Sequence, residues 1–223
     1  MLEQTPAHDI SNPDLLAVLP AADRLVEVGC STGALARAYR SHRPQAHWLG
    51  IEIEPTYAEA ARRHCQIVLV GDVESLLDKP DVAELLQADC WIFGDSLEHL
   101  HDPWQVMRKV YERLPLGGSV CACIPNAQHW SLQARLCLGQ FTYEESGLLD
   151  RTHLRWFTPT TMLSLFEESG FRVRSVTPRI FPHPAEAGCL EQISQFAERL
   201  GGDPLKAVRD ARPLQLVIRA ERT

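Results

Sequence analysis

Apolar and polar positions alternate with two different periods along this chain. Short apolar runs rich in β-branched residues recur, and segments with helical spacing lie between them. Leu25-Val26-Glu27-Val28 reads as a buried strand, and Ala34-Leu35-Ala36-Arg37-Ala38-Tyr39 as the opening of a helix. The strand signal returns at residues 47–53, 66–70, 89–95 and 119–124, and helices are predicted at 57–65, 82–87 and 104–114. Upstream, Asn12-Pro13 supplies a cap and a first-turn proline for a short helix over 12–20, closed by Pro20. Residues 1–9 read as a polar, loose lead-in. Downstream, Thr158-Pro159 starts a helix at 162–169, and a strand follows at 171–176. Pro178, Pro182 and Pro184 interrupt what would otherwise be a hairpin. An amphipathic helix at 190–200 stops at Gly201-Gly202, Asp203-Pro204 caps a short one, and 214–220 is the closing strand. Seven strands alternating with helices predict an α/β fold, a doubly wound sheet with helices on both faces.

The sharpest local signal is the strand-loop-helix around Glu27-Val28-Gly29-Cys30-Ser31-Thr32-Gly33. Gly29 suits a sharp turn off the strand end, and Gly33 suits close approach of backbone to a ligand. The spacing lacks the G-x-G-x-x-G order of dinucleotide oxidoreductases, which disfavours a pyrophosphate on the helix N-terminus. Glu27-x-Gly29-x-x-x-Gly33 resembles the first motif of class I S-adenosylmethionine-dependent methyltransferases. That family usually has a further glycine where this chain has Ser31, a residue small enough to leave the backbone path open. The resemblance implies a Rossmann-like, seven-stranded methyltransferase sheet and S-adenosyl-L-methionine as cofactor.

Position by position, the resemblance implies a cofactor role for Glu27, Gly29, Ser31 and Gly33. Glu52 ends the second strand about twenty residues beyond the loop, where doubly wound folds place a carboxylate on ribose hydroxyls. Its alternative role is an ordinary acid at a helix N-terminus. Ile53 would offer the adenine an apolar face, and Asp72, followed by Val73, matches the acid that accepts from the adenine amine. After the fourth strand, Asp95, Leu97 and His99 match the segment facing the methionine end. Asp95, Glu98 and His99 also resemble the magnesium ligands of some quinone-precursor O-methyltransferases. Histidine suits magnesium poorly, so no metal is expected and local hydrogen bonding is the alternative.

The segment 127–158 reads as a substrate-side lid insert, a polar loop beside the cofactor. Ile124-Pro125-Asn126, His129-Trp130 and the stretch from Gly147 to Thr158 resemble methyltransferase domains found with glycosyltransferases in bacterial surface-polysaccharide clusters. The insert's own chemistry agrees with a hydroxyl acceptor: His129 and His153 are candidate bases. Arg151 and Arg155 are spaced for one face of a helical turn and could hold an anion or anchor the lid to Asp150 or Glu144. Trp130 and Trp156 offer flat apolar surfaces to a substrate. The helical insertion at 178–212 could be a dimer surface, a substrate wall or cover.

Composition narrows the class. With 223 residues and 45% hydrophobic content, one sizeable domain is expected. A formal charge of −7, with scattered Lys and Arg, argues against a nucleic-acid partner. Seven cysteines without repeated spacing read as reduced thiols, and Cys121 and Cys123 as strand packing. No leader or membrane-spanning run is read, so a cytoplasmic protein is expected. The expectation is therefore a methyltransferase acting on a hydroxyl of a sugar or glycan precursor. The alternatives are O- or N-methylation of an aromatic or other small metabolite, and a cofactor-binding partner domain without catalysis.

Overall fold

The computed structural model describes residue 6 and residues 9–223, so the reading of 1–9 falls mostly outside the described residues. Seven strands form one sheet: β1 (Arg24–Val28), β2 (His47–Glu52), β3 (Ile67–Val70), β4 (Cys90–Gly94), β5 (Ser119–Pro125), β6 (Arg172–Arg179) and β7 (Gln215–Glu221). Their order is β3-β2-β1-β4-β5-β7-β6. The first five in that order run parallel, and β7 runs antiparallel to both β5 and β6. The direction of winding reverses between β1 and β4, and a crevice opens there beyond the strand C-termini.

The helices are α1 (Pro13–Val18), α2 (Ala34–His42), α3 (Pro55–Ala61), α4 (Val73–Leu76), α5 (Pro103–Arg113), α6 (Trp130–Cys137), α7 (Pro159–Glu168), α8 (Glu186–Arg199) and α9 (Pro204–Ala211). None of the helices among the described residues is long and apolar enough to cross a membrane. Strand alternation sends successive side chains to opposite faces and builds two cores. Val26, Trp91, Phe93, Met107, Val110 and Phe166 fill one, and Leu25, Trp48, Ile92, Tyr39, Cys121 and Cys123 fill the other. The central strands are buried on both faces, so β4 and β5 read as continuous apolar runs.

Several boundaries differ from expectation. Residues 82–87 are not a helix; a 3-10 turn at Pro80–Val82 leads into turns, because so short a segment gains too few hydrogen bonds to nucleate a helix. Pro178 lies inside β6 rather than ending it, which an edge strand tolerates because one side of its ladder is unpaired. The insert, read as a loop, contains α6, and α8 begins at Glu186, ahead of the expected residue 190.

Gly33 caps α2 at φ +81°, and a β-carbon there would lie 3.2 Å from both Ala61 Cα and His64 Cβ. Its constraint is thus the close packing of α2 against α3. Gly33→Ala combines a left-handed φ with an overpacked contact. It is expected to destabilise the fold by about 1–3 kcal/mol, or roughly 2–4 °C in Tm for each kcal/mol. Thermal unfolding that matches the wild type would show that α3 yields freely.

Candidate cofactor and acceptor site

A cavity of about 630 Å³ occupies the crevice where the winding reverses. Its walls come from the loops after β1, β2, β3 and β4, from α1, and from Thr152 and Leu154 of the insert. A volume of this size suits a metabolite-sized ligand.

The loop after β1 is built on left-handed backbone. Gly29, Ser31 and Gly33 have φ of 72°, 47° and 81°. Ser31 therefore holds a conformation that glycine adopts without strain, the physical reason a glycine is usual there. A hydrogen bond offsets that strain: Ser31 N–H donates to Glu52 Oε2 at 2.7 Å. A β-carbon on Gly29 would meet Ser96 Cβ at 3.2 Å, so this glycine lets the loops after β1 and β4 approach each other. Gly33 is not on the cavity wall, and a β-carbon there would meet Ala61 and His64.

Glu27 lies buried on the wall and accepts from Trp48 Nε1 at 2.9 Å, which ties β1 to β2. Burial pushes its carboxyl well above the usual range. Glu52 is also buried on the wall and accepts a second backbone hydrogen bond from Glu54 N–H at 3.0 Å. Its carboxylate thus braces two loops as well as facing the cavity. Ile53, 52% exposed, borders the cavity from the loop after β2, and buried Val73 from the start of α4. Asp72 also borders it while capping α4 through Glu74 N–H at 2.9 Å.

Two wall residues escaped the sequence reading. Asn12 Nδ2 and Ser96 Oγ are buried without a hydrogen-bond partner among the described residues. Both stand ready for a polar ligand, since buried donors rarely stay unpaired. Tyr57 joins them on the wall. Acidic groups at three strand ends, an apolar face at Ile53 and Val73, and two unpaired polar atoms fit a ligand with a purine, a ribose and a charged tail.

The far end of the cavity carries a different chemistry. Asp95 has φ +56°, a left-handed non-glycine residue of the kind found at functional sites. Gln215 Nε2 donates to its carboxylate. The residue is exposed to the open crevice, yet its carboxyl stands within protein walls, and that desolvation pushes it up to about 6 against the opposing pulls of Cys123 and Arg179. His99 lines the cavity beside it. Glu98 is 1% exposed, and burial first, then Asp95, drive its carboxyl upward. His153 faces Glu98 from the insert, with its ring 4.8 Å from that of His99. Burial, then His99, holds His153 down to about 4, and burial also lowers His99.

The other expected site residues lie elsewhere. Leu97 is fully buried in the core, because the 3-10 turn Leu97–His99 points it inward. His129 caps α6, with Nδ1 2.7 Å from Ser131 Oγ, and Trp130 packs at a tilt against His129 and His183, away from the cavity wall. Arg151 and Arg155 are on an irregular stretch rather than a helical turn. Arg151 pairs with Glu145 at 3.6 Å, and Arg155 donates to the His101 carbonyl, so both brace the insert. Trp156 is half-exposed beside Phe141 at 6.3 Å, and Tyr143 packs on Phe141 at 5.7 Å.

Comparison with known proteins points one way. The protein family described as a methyltransferase domain matches residues 5–176. No curated protein matches the chain. Among solved structures, the fold is similar to a SAM-dependent methyltransferase from Thermotoga maritima at 20% identity and TM-score 0.61, covering 94% of this chain and 86% of that one. A SAM-dependent methyltransferase from Archaeoglobus fulgidus matches at 17% identity and TM-score 0.63, over 94% and 90%. The plantazolicin methyltransferase, solved in complex with SAH, matches at 12% identity and TM-score 0.59, over 92% and 77%.

Proposed function

The chain belongs to the methyltransferase-domain family and is an S-adenosylmethionine-dependent enzyme, and from that premise we propose that it methylates a hydroxyl group of a sugar or glycan precursor. When bound, the cofactor supplies an electrophilic methyl group on a sulfonium. Glu52 would hold the ribose, Asp72 the adenine amine, and Ile53 and Val73 the purine face. Asn12 and Ser96 would satisfy polar atoms of the same ligand.

The observation that carries the acceptor class is Asp95. A sugar hydroxyl is far too weak an acid to ionise at neutral pH, so its transfer gains from a base that takes the proton as the new C–O bond forms. Asp95 stands on the cavity wall with its carboxyl pushed up to about 6, close to the operating range of such a base. With the cofactor bound, Asp95 would accept the hydroxyl proton as the acceptor oxygen takes the methyl group, and the thioether product would leave with the former carbon–sulfur bonding pair. An amine acceptor would need no such group once neutral. Phe141, Tyr143 and Trp156 form a partly exposed aromatic group on the insert, outside the cavity wall that Thr152 and Leu154 of the same insert help to build, and flat apolar faces of this kind suit the C–H faces of a sugar.

The test is methyl transfer from labelled cofactor to a panel of nucleotide sugars, free glycosides, phenols and amines, read by product mass. Methylated sugar hydroxyls are the expected result. Transfer confined to amines or to phenols would overturn the sugar reading.

A further inference from the structure

We propose that Glu98, His99 and His153 form a binding site for a divalent first-row metal ion of the zinc class, open to the acceptor end of the cavity. Glu98 Oε1 lies 4.0 Å from His99 Nε2 and 3.9 Å from His153 Nε2, and the three potential ligand atoms lie within 4.8 Å of one another. Those separations are too long for hydrogen bonds. Neither oxygen of the buried Glu98 carboxyl has a hydrogen-bond partner among the described residues. Buried polar groups left in that state usually mark a water or ion.

The His99 imidazole is already aimed. Its Nδ1 is 3.2 Å from the Thr152 carbonyl oxygen and 3.0 Å from Thr152 Oγ1, while the His153 ring packs edge-on against it at 4.8 Å between centroids. A ring N–H donated to a carbonyl leaves the other nitrogen with its lone pair free, the arrangement that orients metal-bound histidines. Tetrahedral ligands about 2.0–2.1 Å from zinc stand roughly 3.4 Å apart, so moves of under about 1 Å per side chain would close this set on an ion. Two imidazoles and one carboxylate favour zinc-class ions over magnesium. Sequence reasoning expected no metal because it considered Asp95, Glu98 and His99 for magnesium; the fold brings in His153 from the insert, which changes the donor set.

Three protein ligands leave a fourth position open, the pattern of catalytic rather than structural zinc. His99 and Thr152 line the cavity, so that position faces it. With the hydroxyl-acceptor reading above, an ion held by Glu98, His99 and His153 would act as a Lewis acid toward the acceptor oxygen, and Asp95 would remove the more acidic proton. The metal site itself does not depend on that reading.

The experiment strips the full chain with a chelator and titrates it with Zn2+, Co2+ and Mg2+ by calorimetry, visible absorption and thermal unfolding, without cofactor or acceptor. One Zn2+ per chain, a visible Co2+ band of a four-coordinate site, and a rise in Tm with Zn2+ but not with Mg2+ are expected. Glu98→Gln and His153→Ala should each weaken Zn2+ at least tenfold, while His129→Ala, outside the cluster, leaves it unchanged. Unchanged S-adenosylhomocysteine affinity in Glu98→Gln shows that the variant folds; if it does not fold, the wild-type Co2+ spectrum and His153→Ala decide. Zn2+ affinity that persists in His153→Ala, or no binding at all, overturns the metal site. Loss of the metal site with retained transfer to sugars would leave the acceptor reading standing, and a bound metal with transfer only to amines would overturn the acceptor reading alone.

Discussion

Asp95→Asn is expected to lower turnover by about 10²–10⁴-fold while S-adenosylhomocysteine affinity changes little. The amide keeps the shape and can still accept from Gln215, but it cannot take a proton. Were Asp95 instead a partner for the cofactor's charged tail, affinity for the product cofactor would fall and turnover at saturation would survive. The wild-type rate should drop about tenfold per pH unit below about 6, as the carboxylate becomes protonated. The sign for stability is opposite. A carboxyl whose pKa is raised on folding binds its proton more tightly in the native state, so its charge destabilises the fold as pH rises through that value. Asp95→Asn should therefore raise Tm at pH 7–8 in chelator and have little effect near pH 4. A variant that loses both Tm and turnover would reduce Asp95 to a scaffold residue.

Most of the fold was legible because strand ends carry acids and loops carry glycines at fixed places in the chain order. Glu27 and Asp72 were placed at the cofactor by the methyltransferase resemblance, and Glu52 by its position at the end of the second strand, about twenty residues beyond the glycine loop. Asn12 and Ser96 could not be placed there, because their importance rests on lacking a partner, and partners belong to the tertiary structure. His129 and His153 looked alike as loop histidines. Packing separates them: His129 caps α6, and His153 is drawn under the insert to face Glu98. Leu97 was misplaced because a three-residue turn has no periodicity from which to read its facing. α6 was missed because only Trp130 and Leu132 of its residues are buried, too weak an apolar stripe to stand out.

Glu52→Ala is expected to weaken S-adenosylhomocysteine by tenfold or more and to lower Tm as well. The side chain does two jobs at once. One is toward the ligand, where a carboxylate on ribose hydroxyls makes charged hydrogen bonds of about 1.5–3 kcal/mol each. The other is toward the protein, where Oε2 holds Ser31 N–H at 2.7 Å and Oε1 holds Glu54 N–H at 3.0 Å. Without the first of these bonds the left-handed Ser31 loses the contact that offsets its strain, and the loop after β1 relaxes toward ordinary backbone. A second substitution separates the two jobs. In Ser31→Gly the left-handed conformation is free of strain, so the Glu52→Ala, Ser31→Gly pair should recover part of the lost Tm while affinity stays low. If the pair regains affinity as well, Glu52 serves the loop and not the ligand. If Glu52→Ala binds S-adenosylhomocysteine as tightly as the wild type, the ribose must be held elsewhere on the cavity wall.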